Sequence, residues 1–466
     1  MSVLATLKKL IGIGGGYPST DPNQRGQFDG QSIAIGTHNE VLEPSLDAIL
    51  GHCRHFERSM PKARAIVEGF RADTVGTGIA IEPQTGDRLM DGRLRAAFET
   101  WAKSAGINGE SLWELQHLAA GEICTSGAAL WRWIDDPNAR GIKLRLVALE
   151  VEWFATEPLT AIPADHTFVR GIQLDALARP VRYHLLHPET GTPEVVDAAD
   201  IIHAFLPRRA RQAHGEPELA SLILRLMQDD RLVLTELRAA LNTAAVSGII
   251  TTEDADIILG AATAPANPNG APIATTRRRL EAGTVLTLRP GETWETVENK
   301  RPAQGIKEFR GTINGDLAAG SGLSQQWLDR DSSRANYSSM REDNLRTERR
   351  LGPIRAMIGR HLAGRVYERL LPLLTIQAGL GRVKPDYELR PDRPPYVDPL
   401  KDAEALVYQV ANNLLTLEEA LAGQGRDFET VVTKRAAENK RLAELGLPVP
   451  MPGPIQLSAT AQETAP

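Results

Sequence analysis

The sequence predicts an α+β protein. Three observations carry that reading. Helical apolar spacing runs through most of residues 45–127, short strand-like runs separated by turn signals fill 144–205, and long amphipathic helical patterns dominate beyond Glu218. With 466 residues, the chain is long enough for two or three domains and a substantial core.

Residues 1–45 are rich in Gly, Ser, Asn and Gln and are expected to form a flexible arm. Helical periodicity begins at Ser45 and runs to Phe70. The stretch RADTVGTGIAIEP at 71–83 follows, where a Gly-punctuated turn meets a strand. Asp91–Ala105 and Gly109–Gly127 read as amphipathic helices, with Leu94, Phe98 and Trp101 on one face. Leu144–Phe154, Asp165–Val169, Gly171–Leu174, Val181–Leu186 and Val195–Phe205 read as strands.

A break follows at Pro207–Pro217. Pro217 suits the first turn of a helix, where its missing N–H has no helical partner to lose. Glu218–Val246 then reads as one helix, roughly 40 Å long at the helical rise per residue. It carries two apolar stripes. Leu219, Leu222, Ile223 and Leu226 form the first, and Leu234, Leu237 and Leu241 the second, with the polar step Gln228–Arg231 between them. That interruption suits packing against separate neighbours more than burial in one core.

Gly248–Pro302 reads as a small insertion, with strands at Thr284–Leu288 and Trp294–Val297. Lys307–Leu323 is a second helix, weakened by Gly311, Gly315 and Gly320; such glycines suit close approach between backbones. A polar loop is expected at Asp329–Ser339. A long helix from Met340 to about Leu374 should kink at Gly352-Pro353, because proline removes a helical bond and clashes with the preceding turn. Arg382–Pro399 is proline-rich and extended. Leu400–Ala422 and Phe428–Leu445 are helices separated by Gly423-Gln424-Gly425, and the polar tail from about Leu447 is expected to be disordered. There are no internal repeats.

Composition narrows the function. Hydrophobic content of 42% and charged content of 24% are ordinary for a soluble protein. A net charge of −6 argues against a general nucleic-acid binder, though not against DNA that passes by without being gripped. The two cysteines, Cys53 and Cys124, suit a reducing setting, and neither has zinc-site spacing. The apolar run in MSVLATLKKLIGIGGG is too short for a signal-peptide core, and no run in the chain approaches the length needed to span a bilayer.

Several segments share a pattern with one known family. They are FRGTINGDLAAGSGLSQQWLDRDSSRANYSSMREDNLRTERR at Phe309–Arg350, RPPYVDPLKDAEA at Arg393–Ala405, ADTVGTGI at Ala72–Ile79, the Trp-Ala pair at Trp101, ICTSGAALWRW at Ile123–Trp133, and IIHAFLPRRARQAHGEPELA at Ile201–Ala220. Together they resemble the lambda-like family of tailed-phage portal proteins across about residues 40–445. The match departs at Ala213-His214, where Arg is common in the family.

The resemblance implies a portal-type α+β fold that forms a ring of twelve copies. It implies a wing at 46–216, stem helices at 217–247 and 303–328, a clip at 248–302 and a tunnel loop at 329–339. A long kinked helix would return to the wing at 340–394, a helical crown would occupy 395–445, and a disordered tail 446–466. The implied role is a non-enzymatic DNA channel at one capsid vertex, present in the virion and, during assembly, in the host cytoplasm. The implied partners are further copies of the chain, the terminase large subunit, major capsid and scaffold proteins, head–tail connector proteins and duplex DNA of any sequence. No membrane or cofactor is implied.

Each candidate site has two readings. Asp329, Arg330, Asp331, Arg334, Asn336 and Tyr337 are DNA-facing on the family's pattern, touching phosphates without reading sequence. Composition alone makes them a plain interhelical loop with self-paired charges. Arg277, Arg278 and Arg279, with Trp294, would face the terminase and connector from the clip; as a bare charge run they are a solvated turn. The series Arg341, Arg346, Arg349, Arg350, Arg355, Arg360, Arg365 and Arg369 is either a DNA-facing stripe or a solvated or intersubunit helix face, the reading favoured by local acids such as Glu342, Asp343 and Glu348 that can pair with it.

VGTGIA at 75–80 lacks the third glycine and following helix of a dinucleotide fingerprint, so it reads as a turn. His52, His55, His203, His214 and His361 have no metal-site spacing, and G-x-S-x-G, H-E-x-x-H and Walker A sequences are missing. Two other functions stay open at this point. A mobile-element nuclease would need carboxylates and His converging on a metal. A non-channel capsid adaptor would bind partners through its helices.

Overall fold

The computed structural model describes residues 36–245, 249–252, 292–295, 305–329, 337–381, 383–384, 386–391, 399–424, 426 and 428–448. The chain divides into two compact units, one formed by residues 1–223 and 317–466, the other by 224–316. The architecture is α+β, as the sequence predicts.

The first unit opens with a short helix, α1 (His38–Leu42), inside the stretch expected to be an arm. Thr37 and Glu40 cap it reciprocally, each side chain accepting from the other's backbone N–H. His38 and Leu42 are buried, and Asn39 bonds to the backbone of Arg211 and Ala213, so polarity here marks a helix start and not a free tail. A 3-10 turn at Glu43–Ser45 leads to α2 (Leu46–Ser59). Met60 is extended, as a residue before proline should be, and Pro61 opens α3 (Pro61–Val75). α2 buries Leu46, Ile49, Leu50, Cys53 and Phe56, at the spacing of one helix face.

After β1 (Ile79–Pro83) come α4 (Arg88–Ala102) and α5 (Leu112–Ser126). The latter begins with a Ser111/Glu114 capping box and ends at Gly127. Gly127 has φ +83°, and a Cβ there would stand 2.6 Å from the backbone of Gly215 and Glu216, so conformation and space both require glycine.

Two antiparallel sheets follow. β2 (Ala129–Asp135) is the centre of a three-stranded sheet, between β3 (Leu144–Leu149) and β8 (Ile201–Ala204). Trp131, 1% exposed, sits opposite Ala148 and Ile202. The second sheet is a meander of β4 (Thr167–Val169), β5 (Ile172–Leu174), β6 (Pro180–Leu186) and β7 (Pro193–Asp197). Phe154 bridges to Leu185 of β6.

Returning from the second unit, this unit contains α8 (Gln325–Asp329) and α9 (Tyr337–Ile358), a π-helical turn at Gly359–Gly364, and α10 (Arg365–Gln377). The helix continues through Gly352-Pro353, where the sequence predicts a kink, and α geometry gives way to a π turn at 359–364. Pro353 and Arg349, whose carbonyl it cannot pair, are both exposed, where solvent can satisfy the loss. The π turn has its own cause. The buried residues Ile354, Ile358, Leu362, Val366, Leu370 and Leu374 recur every fourth residue, which outruns the α-helical repeat; one wider turn brings them back to a single face.

β11 (Tyr387–Pro391) lies in the proline-rich segment and pairs antiparallel with β1, Ile81 opposite Leu389. The C-terminal helices are α11 (Pro399–Ala411), α12 (Leu417–Ala422) and α13 (Phe428–Glu444). The single helix expected over Leu400–Ala422 is split because Asn413 adopts φ +56° and Thr416 caps a new start with Glu419.

The second unit contains most of α6 (Ile223–Ala245), a hairpin of β9 (Ile249–Thr252) with β10 (Glu292–Glu295), and the first part of α7 (Ile306–Ser321). The helix expected from Glu218 begins as a 3-10 turn at Glu218–Leu222. The expected strand at Thr284–Leu288 lies outside the described residues, and the one at Trp294–Val297 is found at 292–295. Arg310 pairs with Asp229 at 3.0 Å and Arg225 with Asp316 at 3.0 Å, tying the two helices together.

Candidate functional site

The loop expected at 329–339 is shorter at both ends. Asp329 is the last residue of α8 and Tyr337 the first of α9, with Ser338 and Ser339 already helical. Polar residues also open helices, so polarity alone did not separate loop from first turn. Arg330, Asp331, Arg334 and Asn336 lie outside the described residues, as do Arg277, Arg278 and Arg279. Trp294 is on β10, opposite Ile250.

What the structure describes in detail is the frame that carries the loop. Its N-terminal foot is α8. The indole of Trp327 covers Gly69 of α3, and Leu323 and Leu328 are buried. Its C-terminal foot is α9, fixed by two arginines. Arg355 donates from Nε to the Thr74 carbonyl at 2.9 Å and from Nη2 to the Asp73 carbonyl at 2.6 Å. Both its Nη atoms also reach the Glu348 carboxylate, at 2.8 and 3.0 Å. It thereby occupies carbonyls in the last turn of α3, which a helix end leaves unpaired. Burial, then the nearby Glu348 charge, push the Asp73 carboxyl up, with Arg355 opposing. Both feet of the loop therefore stand on the same helix.

The second arginine, Arg350, bonds to Glu218, which also takes Arg208 at 2.7 Å. The Glu218 side chain is only 5% exposed, so the two guanidiniums compensate a buried charge. Sequence reasoning missed Trp327, Gly69 and Glu218. The Pro217-Glu218 helix start was legible, but its partners were not.

The arginine series does not act as one stripe. Arg346 pairs with Glu342 one turn away at 2.6 Å, Arg350 and Arg355 are engaged as above, and Arg369 reaches Asp200 at 3.0 Å. Arg360 contacts His361 at 3.2 Å. Arg365 and Arg369 border a shallow cleft with Trp133 and Ile202. Arg341 and Arg349 are exposed on α9. Only Arg346 and Arg355 of the series pair with the local acids Glu342 and Glu348; Arg350 and Arg369 pair with acids from distant segments, Glu218 and Asp200.

VGTGIA is a turn, with Gly76 at φ +56° and Gly78 at φ +118°. Trp113 holds it through a 2.9 Å bond from Nε1 to the Gly76 carbonyl. His52 and His55 flank Phe56 on α2, while His203 and His214 lie in the core around Phe154. Among the described residues, no three His, Cys, Asp or Glu side chains are grouped to hold a metal ion, and no helix is long and apolar enough to cross a membrane.

The apolar stripes of α6 part company. Leu219, Leu222, Ile223 and Leu226 are buried, whereas Leu234, Leu237 and Leu241 are 43%, 54% and 60% exposed.

The fold is similar to several solved structures. A chain in the neck of an empty gene transfer agent particle is 17% identical, with 86% of this chain and 94% of that chain covered and a TM-score of 0.49. A chain in the virion of a native gene transfer agent is 16% identical, with the same coverages and a TM-score of 0.44. An HK97-family phage portal protein from Corynebacterium diphtheriae is 12% identical, covering 68% of this chain and 88% of its own, with a TM-score of 0.33. The family model for phage portal proteins of the lambda family matches residues 25–355. That match spans well over half of the sequence, and the chain belongs to the lambda family of phage portal proteins.

Proposed function

We propose that this chain is the subunit of a closed homo-oligomeric ring, of twelve copies on the family's pattern, that forms the DNA channel at one capsid vertex. The observation that carries the reading, beside family membership, is the exposed stripe Leu234, Leu237 and Leu241 on α6. Exposed leucines at i, i+3 and i+7 make an apolar face that suits a neighbouring helix, and a ring built head to tail offers every subunit the same neighbour. The ring would assemble in the host cytoplasm and remain in the virion.

In this reading the segment from Asp329 to Tyr337 faces the DNA. Arg330 and Arg334 would meet phosphates, with Asp331 and Asn336 beside them keeping the contact weak and independent of sequence. Residues 248–302 would form the clip, where Arg277, Arg278, Arg279 and Trp294 face the terminase large subunit and later the connector proteins. Major capsid and scaffold proteins would surround the wing. The chain would work as a conduit, without a cofactor or catalysis of its own, and the energy for translocation would come from the terminase.

Negative-stain electron microscopy of the purified protein, with mass photometry, tests the ring. The expected result is closed rings with a central hole wide enough for duplex DNA. A protein that stays monomeric even when mixed with its capsid protein would overturn it. Shortening 330–336 should then leave ring formation intact and lower packaging or DNA retention; unchanged packaging would remove the loop from the channel.

A further inference from the structure

Four imidazoles lie in sequence through the first unit, each electrostatically coupled to the next: His38 on α1, His214 in the segment before Glu218, His203 on β8, and His361 in the π turn. His203 and His214 are 8% and 4% exposed, with ring centres 6.3 Å apart. Phe154 lies edge-on to both, at 5.8 and 5.1 Å, and Phe205 covers His203 at 4.8 Å. His214 donates from Nε2 to the carbonyls of Arg170 at 2.9 Å and Val169 at 3.3 Å. Nε2 therefore carries the proton in the neutral ring, and Nδ1 is bare. Among the described residues that buried Nδ1 has no hydrogen-bond partner, nor have Nε2 of His38, Nε2 of His203 and Nδ1 of His361. Among the described residues, the polar neighbour of His203 Nδ1 is the Tyr183 hydroxyl at 3.3 Å.

We propose that this row of imidazoles is an acid-sensitive seam, which holds α1, the 207–217 segment, β8 and the π turn together while neutral and opens when protonated. The groups facing the row bear this out. Arg208 and Arg209 face His38, Arg170 faces His214, Arg365 faces His203 and His361, and Arg360 faces His361. Against these five cations stands Glu216, beside His38. Two further carboxylates are already engaged: Asp47 is paired with Arg170, and Glu218 with Arg208 and Arg350. A proton on any ring would thus enter a dry, positive environment and have no carboxylate to meet, except at His38.

The direction follows. Burial lowers all four imidazoles, His214 and His361 to about 4 and His203 well below its ordinary value, while in the unfolded chain they return to about 6.5. The unfolded state therefore binds more protons below that value. The seam is intact above about pH 6.5 and weakens as pH falls towards 4, with each imidazole contributing up to about tenfold in the folding equilibrium per pH unit. Several acting together make the opening steep.

Hydrogen–deuterium exchange at imidazole C2, followed by mass spectrometry on the full-length protein from pH 3.5 to 7.5, reads each histidine separately. The expected result is that His203 and His214 exchange slowly and show no titration step near 6.5, where the imidazole of an unfolded reference peptide titrates. Titration of His203 and His214 near 6.5, as in the reference peptide, would overturn the seam. Acid unfolding followed by tryptophan fluorescence is the second arm. His214→Gln keeps an amide donor for the Val169 and Arg170 carbonyls without the titrating ring, and with His203→Gln it should lower the acid midpoint by about half a pH unit or more. The control pair His52→Gln and His55→Gln should leave the midpoint in place. An unmoved midpoint in the folded double variant would also overturn the proposal, and should that variant fail to fold, the C2 exchange of the wild-type chain decides alone.

Discussion

The indole of Trp327 occupies the space that a side chain at Gly69 would need: a Cβ placed there would stand 2.5 Å from the ring. Gly69 lies mid-helix, where alanine is ordinarily favoured by about 1 kcal/mol. The close contact reverses that sign. Gly69→Ala should destabilise the protein by about 1–3 kcal/mol, as overpacking does, and Trp327→Leu should recover part of the loss in a double-mutant cycle. Gly51 on α2 is the control, with nothing within 4 Å of its notional Cβ. Gly51→Ala should raise stability by about 0.5–1 kcal/mol. Thermal melts of the four variants check the prediction, and a stabilising Gly69→Ala would remove the Trp327 foot from the loop's frame.

Arg355 is the other foot, and its geometry separates charge from shape. Its side chain is 11% exposed and serves two carbonyls of α3 and the Glu348 carboxylate at once. Arg355→Met leaves those groups unpaired and should cost about 2–4 kcal/mol. Arg355→Lys keeps the charge but cannot span the set with one ammonium, so it should recover less than half of the loss. Glu348→Gln should be milder than either, because the contacts to Thr74 and Asp73 survive. Equal effects of Lys and wild type in denaturant titrations would mean that charge alone matters here.

The fold itself was partly legible. α2 and α4 were readable because their apolar residues repeat on one helix face. β2 was not, because its first three residues, Ala129–Trp131, are all buried and follow closely on the buried end of α5, which leaves only a short alternating stretch from Trp131 to Asp135. β11 was hidden among prolines, and its partner β1 lies some 300 residues earlier, a distance no local pattern spans. The candidate site followed the same rule. That a helix follows the loop could be read, though its first turn was taken for loop; Trp327 on Gly69, Arg350 on Glu218 and the histidine row are tertiary pairings between distant segments, and local residue types do not encode them.

Gly127 joins α5 to the segment before Glu218 through space as well as conformation. Gly127→Ala would need φ near +83° and would press a methyl into the backbone of Gly215 and Glu216. Backbone atoms have no rotamer by which to move aside, so the cost should exceed that at Gly69, at about 3 kcal/mol or more. A melting temperature within a degree or two of wild type would show that the Gly215 segment yields easily.

The two stripes of α6 make the sharpest contrast, since one helix carries both. Leu226 is 2% exposed, and Leu226→Ala should cost about 2–5 kcal/mol in any assembly state. Leu237 is 54% exposed, and Leu237→Asp should change the stability of the isolated subunit by no more than about 0.5 kcal/mol. In a ring the same change would place a carboxylate in an apolar helix contact, where an unpaired charge is strongly unfavourable. Combined with Leu234→Asp and Leu241→Asp, it should leave a folded subunit that no longer closes. Mass photometry should show wild-type oligomers replaced by monomers, with circular dichroism unchanged. Persistent rings from the triple variant would mean that subunits meet through another face, and the stripe would then need a different partner.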